Sequence, residues 1–193
     1  MAMNRKLFRS RTEEPRILML PGVANALSAL IAADLGFEAL YVTGAGVSNM
    51  NLGVPDIGLL SLDDMVDAMT AIRGVCEQPL IVDADTGFGS AVNVYRTIQR
   101  LEAAGANVIQ LEDQVFPKKC GHFDGKDVVS AREMIDKIKA AVDARRDGDT
   151  LIIARTDSPK PPRRCPFLEN QTCRRPKTNI KRCSKCPSNL CQS

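Results

Sequence analysis

The sequence has little that suggests a membrane or an export route. No apolar stretch approaches the roughly 18 residues that a transmembrane helix needs, so we expect no membrane partner. The basic, acid-poor segment 1–12 lacks the apolar core of a secretory signal. We interpret it as an ordinary exposed first helix, with a mitochondrial presequence as the alternative. Apolar residues make up 44% of the 193 and charged residues 25%, which is typical of a globular protein and leads us to expect a cytoplasmic one.

Cysteine is scarce in most of the chain and frequent only at its end. Five of the seven cysteines lie in residues 159–193, together with six prolines and a net charge of +8, whereas residues 1–158 carry −5. The single C-x₂-C, Cys183–Cys186, lacks the matched second pair of a zinc site, and the basic charge alone makes nucleic-acid binding a weak prediction. We therefore predict a catalytic domain over 1–158 and an irregular Cys/Pro/Arg-rich tail over 159–193.

Short apolar runs alternate with helical patterns over the first 155 residues. The runs predict five strands, at Ile17–Leu20, Ala39–Val42, Leu80–Val82, Val108–Leu111 and Leu151–Ala154. Helix signals fall between them: a segment closed by Gly36, a cap at Ser61, a helix over 91–104 and a capping box at Ser130 and Glu133. Repeated βα units predict an α/β fold with a parallel sheet, either a (β/α)₈ TIM-type barrel or an open doubly wound sheet.

Carboxylates follow two adjacent predicted strands. Asp83 and Asp85 end one, and Glu112 and Asp113 end the next. Like charges at close range raise each other's pKa unless a cation neutralises them. Strand alternation would put Asp83 and Asp85 on one face, although a single aspartate at a strand end is often only a helix cap. Oxygen ligands without histidine or cysteine indicate Mg²⁺, or Mn²⁺, at this edge of the sheet.

A small-residue segment, 43–46, follows the second predicted strand and begins like a dinucleotide fingerprint. Its third glycine is missing, because Asn49 stands there, and no clear helix start follows, so nucleotide binding is not favoured. Two interpretations stay open. Backbone N–H groups could approach a substrate carboxylate, or the segment could be a plain tight turn.

The segment 118–122 brings together groups that can move protons. It contains Lys118, Cys120 and His122, the only histidine of the chain. Two lysines alone would indicate a solvated loop. A thiol beside cations becomes a usable acid or base, and we therefore include this loop in the predicted site.

With these residues in place, the chain resembles the isocitrate lyase / phosphoenolpyruvate mutase superfamily, and its short 2-methylisocitrate lyase-like members most. The matching pieces are LPGVANALSALIAADLGFEALYVTGAG, LGVPDIG, VDADTGFG, QLEDQV, KKCGH and ARTD, within residues 5–157. The resemblance implies a (β/α)₈ barrel, of which the first five βα units would be present, with Mg²⁺ at the carboxyl ends of the strands.

The resemblance also implies three groups of site residues. The metal would be held by Asp83 most directly and, partly through water, by Asp85, Glu112 and Asp56. Substrate carboxylates would be bound by Thr43, Gly44, Ala45 and Arg155. Catalysis would use Cys120 as the acid that protonates an enolate, tuned by Lys118 and His122. The superfamily lyases usually have Ser-Gly-Gly where this chain has Thr43-Gly44-Ala45, which leaves the identity of the substrate open.

The implied activity is Mg²⁺-dependent cleavage of a carbon–carbon bond in a 2-methylisocitrate-like or related 2-hydroxy or 2-oxo di- or tricarboxylate. Oxaloacetate decarboxylation and phosphoryl transfer are alternatives within the superfamily, although a phosphorylmutase needs no thiol acid. The superfamily also implies a homo-oligomer, usually a tetramer.

The pattern changes abruptly after Asp157. We expect a frameshifted, misjoined or truncated product, with an appended module as the alternative. Because five strands cannot close an eight-stranded barrel, we expect the chain by itself to be marginally folded, and an inactive fragment is the rival to the lyase.

Overall fold

The computed structural model describes residues 5–120 and 125–158. Its strands are β1 Gly22–Val23, β2 Leu40–Val42, β3 Leu80–Asp83, β4 Val108–Glu112 and β5 Leu151–Arg155. All neighbours pair in parallel in the order β1-β2-β3-β4-β5. The predicted α/β fold with a parallel sheet is confirmed. This order lacks, among the described strands, the reversal that defines a doubly wound sheet.

The helices between the strands begin largely where the sequence provides caps. They are α1 Arg5–Glu13, α2 Ala26–Asp34, α3 Gly44–Val47, α4 Leu62–Arg73, α5 Ala91–Ala103 and α6 Ala131–Ala144, with a π-helical turn, Ser48–Leu52, after α3. The predicted caps at Ser61 and Ser130 are confirmed: the Ser61 hydroxyl accepts from the Asp64 amide and the Ser130 hydroxyl from the Glu133 amide, both at 3.2 Å. Of the capping box predicted at Ser130 and Glu133, the described contacts contain this half only. None of the described helices is long and apolar enough to cross a membrane.

Four of the five predicted strands are confirmed to within a residue at each end, but the first is wrong. Ile17 and Met19 are 90% and 69% exposed, and the strand is Gly22–Val23 instead. The register pairs Gly22 with Tyr41, so Ile17–Leu20 lies opposite the turn that precedes β2, where no strand offers hydrogen bonds. An apolar run in the sequence indicates only hydrophobicity, whereas the pairing of a strand depends on a partner strand that is distant in sequence.

The sheet packs a different set of side chains on each face. One face carries Leu40, Val42, Leu80, Val82, Ile109 and Leu111 against α2, α4, α5 and α6. The opposite side, which we call the inner face, carries Ile81 and Val108 beside Phe8 of α1, with Tyr41 and Leu151 packed against them. Since alternate residues share a face, this apolar layer is followed toward the carboxyl ends of the strands by polar side chains.

The predicted tail, 159–193, and His122 lie outside the described residues, so the domain boundary at 158 stays a prediction.

Candidate active site

The candidate site lies on the inner face where β3, β4 and β5 end. The register places Asp83 beside Gln110 and Glu112 beside Arg155. Each of these residues follows the apolar layer by an even number of positions, and all therefore point to the same side of the sheet. Parallel strands thus bring acidic and basic side chains from distant parts of the sequence to one edge.

Asp83 and Asp85 meet through a turn rather than through strand alternation. β3 ends at Asp83, and Asp85 has a left-handed backbone with φ of 48°, which is uncommon for a residue other than glycine. The Asp85 amide donates to Asp83 Oδ1 at 3.1 Å. Both carboxylates face Gly44, where a Cβ would lie 3.2 Å from Asp85 Oδ1 and 3.3 Å from Asp83 Oδ2. Position 44 therefore needs a glycine to bring the backbone of α3 against the two acids.

Lys118 is buried among these carboxylates. Its Nζ donates a hydrogen bond to Asp56 and lies 3.0 Å from Asp85 Oδ1. Burial lowers the pKa of Lys118, but the attraction of Asp85 and Asp56 outweighs burial and raises it above its usual value. The resemblance implied that Lys118 tunes the acidity of Cys120. In the structure its ammonium group contacts the carboxylates of two predicted metal ligands, Asp56 and Asp85.

The carboxylates have raised pKa values because they are buried together. Burial and the charge of Asp83 raise the pKa of Asp85 to about 6 and that of Glu112 to about 8. Burial also raises the pKa of Asp83, against the opposing attraction of Lys118 and Arg155. Such buried like charges favour either protons or an additional cation.

Arg155 links the ends of β4 and β5. Its guanidinium lies 3.4 Å from Glu112 Oε2 and 2.9 Å from Asp157 Oδ1, and Lys126 lies 3.2 Å from the same Asp157 oxygen. Although burial opposes it, the hydrogen bond from Arg155 lowers the pKa of Asp157. Asp113, the other acid at the end of β4, accepts from the Thr156 hydroxyl and the Asp157 amide, so it ties the two strand ends together.

The donor set suits a hard cation, although it is not assembled as a metal centre. Within residues 5–120 and 125–158, no group of three or more His, Cys, Asp or Glu side chains forms a ready metal site. The predicted ligands nevertheless offer only oxygen atoms, and the buried Asp85 Oδ1 has the Lys118 ammonium 3.0 Å away as its ionic partner. Asp83, Asp85 and Glu112 therefore fit Mg²⁺ by chemistry, while Lys118 supplies positive charge beside them.

The remaining predicted residues are Thr43 and Ala45, which flank Gly44 at the start of α3, and Cys120. A helix does start after β2, contrary to expectation: Thr43 caps α3 by accepting from the Gly46 amide at 3.3 Å, and Ala45 is half-buried within it. The cap at Thr43 helps this short helix to form in spite of its two glycines. Cys120 is a half-buried thiol.

Three polar features of the site escaped the sequence reasoning. Gln110 donates to the Tyr41 hydroxyl at 2.9 Å, and burial and the charge of Asp83 raise the pKa of Tyr41. Gln114, two residues beyond Glu112, donates to its carboxylate at 2.9 Å. The period-two pattern could have indicated all three residues, since each stands two positions from a predicted site residue.

The third feature is a pair of helix side chains that hold the turn after β3. The Lys137 ammonium of α6 donates to the Thr86 carbonyl at 3.2 Å, and the Thr97 hydroxyl of α5 donates to the Gly87 carbonyl at 3.1 Å. Their roles depend on helix packing, and no local pattern in the sequence signals them.

Comparison with known proteins agrees with this geometry. The family model described as Phosphoenolpyruvate phosphomutase matches residues 8–175. The 2-methylisocitrate lyase of Aeropyrum pernix is 51% identical over 152 residues, which cover 79% of this chain and 48% of that protein. The chain spans about half the length of the curated relatives it matches.

Two solved structures extend the comparison to the fold. A crystal structure of 2,3-dimethylmalate lyase, a PEP mutase/isocitrate lyase superfamily member, matches with a TM-score of 0.76 and 38% identity, covering 81% of this chain and 54% of that one. Phosphonopyruvate hydrolase, crystallised in complex with oxalate and Mg²⁺, matches with a TM-score of 0.73 and 36% identity over 81% of this chain and 53% of that one. The chain therefore belongs to the phosphoenolpyruvate phosphomutase family, within the PEP mutase/isocitrate lyase superfamily.

Proposed function

We propose that this chain carries the site of a Mg²⁺-dependent carbon–carbon lyase acting on a 2-methylisocitrate-like or related 2-hydroxy or 2-oxo di- or tricarboxylate. The observation that carries the proposal is the meeting of Asp83, Asp85 and Glu112 at one edge of the sheet, beside Arg155. An anionic substrate needs positive charge to bind, and an enolate needs it to form.

The metal would be held by Asp83 most directly, with Asp85, Glu112 and Asp56 contributing partly through water. Bound Mg²⁺ supplies a Lewis acid that stabilises enolate charge. The raised pKa of these carboxyls supports this assignment, since burial of like charges without a cation is unfavourable.

The protein side chains would then bind the substrate and move protons. Arg155 would bind a substrate carboxylate, because its guanidinium offers paired donors to carboxylate oxygens. The backbone N–H groups of Gly44 and Ala45 and the hydroxyl of Thr43 would cradle another, since the Thr43 amide already donates to the Val23 carbonyl. Asp85, which lies in the turn after β3 beside Asp83, would accept the proton of the substrate hydroxyl as the bond breaks. The Cys120 Sγ–H group would protonate the enolate carbon, with Lys118 and His122 tuning it. A thiol acid favours the lyase over phosphoryl transfer, which needs no such proton.

The proposal extends to the whole molecule. The consecutive order of five parallel strands supports a (β/α)₈ barrel. Exposed leucines on α2, such as Leu27 and Leu30, support a homo-oligomer. The reduced thiols Cys76 and Cys120 support a cytoplasmic location.

The experiment uses the purified 193-residue chain with oxalate as a probe, since oxalate resembles an enolate of a 2-oxo acid. We expect calorimetry to detect oxalate binding in the presence of Mg²⁺ and no binding in EDTA. Incubation with 2-methylisocitrate, 2,3-dimethylmalate and oxaloacetate should release a 2-oxo acid from at least one of them, again only with Mg²⁺. Mg²⁺-independent binding of oxalate, or no release from any of the three by a folded chain, would contradict the proposal.

A further inference from the structure

We propose that Gln114 is a positioning residue, which fixes the peptide before Cys120 against the Glu112 carboxylate and the end of β5. The proposal deepens the function proposed above and rests on it for the catalytic meaning of Cys120. The contacts themselves are independent of that function.

The Gln114 side chain hydrogen-bonds both the backbone amide and the backbone carbonyl of Lys119, the residue before Cys120. Its side chain is 2% exposed, its Oε1 accepts from the Lys119 amide at 3.0 Å, and its Nε2 donates to the Lys119 carbonyl, also at 3.0 Å. The Lys119 amide requires an acceptor, which fixes the orientation of the glutamine amide. Since Lys119 directly precedes Cys120, these two hydrogen bonds fix the backbone position from which the Cys120 side chain extends.

The same amide nitrogen reaches the metal-ligand side of the site. Nε2 lies 2.9 Å from Glu112 Oε1 and 3.3 Å from Asp157 Oδ2, in addition to the Lys119 carbonyl. An amide nitrogen has two hydrogens, so three acceptors share them. The side-chain amide of Gln114 therefore links the ends of β4 and β5 to the Cys120 loop. Movement of the Glu112 or Asp157 carboxylate would change the hydrogen bond that the same nitrogen makes to the Lys119 carbonyl.

Gln114 can act in this way because its backbone is held firmly. It follows β4 by two residues and pairs with Val128 in an antiparallel bridge, and the Val115 amide donates to the Asp127 carbonyl at 2.8 Å. A side chain on such a base loses little freedom when it makes its contacts. Only glutamine offers an acceptor for Lys119 and donors for two carboxylates at this length, because glutamate would lose the donors and add a third negative charge.

The test measures hydrogen exchange of the Lys119 amide by NMR in the isotope-labelled 193-residue chain. Gln114→Met keeps the length of the side chain but removes its polar atoms, and we expect Lys119 exchange to rise roughly tenfold, as loss of a hydrogen bond predicts. Gln114→Glu keeps an acceptor, so Lys119 exchange should stay within about threefold of the unsubstituted chain. Gln99→Met, on α5 and outside the contacts of Gln114, is the control and should change nothing at Lys119. Equal exchange in the unsubstituted chain and in Gln114→Met would overturn the proposal.

Thiol reactivity and turnover distinguish the positioning of Cys120 by Gln114 from a contribution of Gln114 to folding alone. With exchange of the β3 amides unchanged, Gln114→Met should raise the rate of Cys120 alkylation by iodoacetamide at least about threefold, with Cys76 as the buried internal reference. It should lower kcat about tenfold or more with little change in KM. An unchanged Cys120 rate and kcat would refute the positioning role. If the unsubstituted chain shows no turnover, the proposed function fails, while amide exchange and alkylation still decide the role of Gln114.

Discussion

Two cationic side chains balance most of the buried carboxylates of the site, residue by residue. Lys118 pairs with Asp56 and Asp85, and Arg155 pairs with Glu112. Among the described residues this leaves Asp83 as the member of the cluster without an ion pair, and its pKa is raised by burial. Asp83 is therefore the group that gains most from a metal ion.

Asp83→Asn should weaken Mg²⁺ binding at least about tenfold, because it removes a charged ligand and leaves a neutral one. Isothermal titration of the 193-residue chain with MgCl₂ measures the change. Asp67→Asn, an exposed aspartate on α4, is the matched control and should bind as the unsubstituted chain does. Equal affinity in the Asp83 variant would exclude it as a ligand.

Cys120→Ser should lower kcat by roughly 10²–10⁴-fold, the usual contribution of a general acid, because a hydroxyl is a far weaker acid than a thiol. Oxalate binding in the presence of Mg²⁺ should be retained, since the serine fills the same space. Steady-state release of the 2-oxo acid provides the measurement. A higher KM with kcat unchanged would mean that Cys120 only shapes the pocket.

The sequence indicated the acids at the strand ends because a short apolar run followed by carboxylates is a local pattern. It did not reveal how Asp85 reaches Asp83, since a left-handed aspartate depends on what surrounds it. The period-two pattern could have drawn attention to Gln110 and Gln114, but not to their partners across the sheet or in the next loop.

The segment after β3 is held by helices α5 and α6, which contribute one side chain each. Thr97 and Lys137 are both buried, and they donate to the carbonyls of Gly87 and Thr86. Gly87 has a φ of 90°, and a Cβ there would lie 2.4 Å from Val94 of α5. Close packing of this helix against the turn therefore requires a glycine at position 87.

Lys137→Met should weaken Mg²⁺ binding several-fold and lower stability by about 1–3 kcal/mol, because it leaves the Thr86 carbonyl without its donor. Titration with MgCl₂ and urea unfolding measure the two effects. Lys139→Met, an exposed lysine on the same helix, controls for the change of residue type. A loss of stability with unchanged Mg²⁺ affinity would restrict Lys137 to a structural role.

Helices and their caps were predictable because the determinants are local, as Ser61 with Asp64 and Ser130 with Glu133 illustrate. β1 was not, since its position depends on the register with Tyr41. The helix after Thr43 was missed although its cap is local. Two of its four residues are glycines, which have weak helical preference, and the Thr43 cap supplies much of what holds the turn.

Across the whole molecule, the apolar contacts that stabilise the fold and the charged groups of the candidate site lie in different parts of the sheet. Its helix-covered face and the apolar layer beside Phe8 are buried, whereas the charged groups meet at the carboxyl ends of the strands. Gathering like charges at that edge makes the metal-free fold less stable than its apolar contacts alone would make it. The net stability of the chain should therefore depend on both pH and Mg²⁺.

The metal-free chain should lose stability as pH rises through the pKa values of Asp85 and Glu112, about 6 and about 8. Both are raised above the unfolded values near 4, so the folded state holds extra protons and their contribution is present at low pH and lost as pH rises. Mg²⁺ binds the deprotonated carboxylates, and its affinity should rise over the same interval.

A fixed MgCl₂ concentration of about 100 times the dissociation constant at pH 8 should raise Tm by roughly 5–10 °C at pH 8. The same concentration should raise Tm by less at pH 6. Thermal unfolding with and without MgCl₂ at each pH isolates this difference from other titrating groups, and Asp83→Asn should reduce it, because the variant binds Mg²⁺ more weakly. An equal Mg²⁺ effect at the two pH values would show that metal binding, if present, does not involve the buried carboxyls.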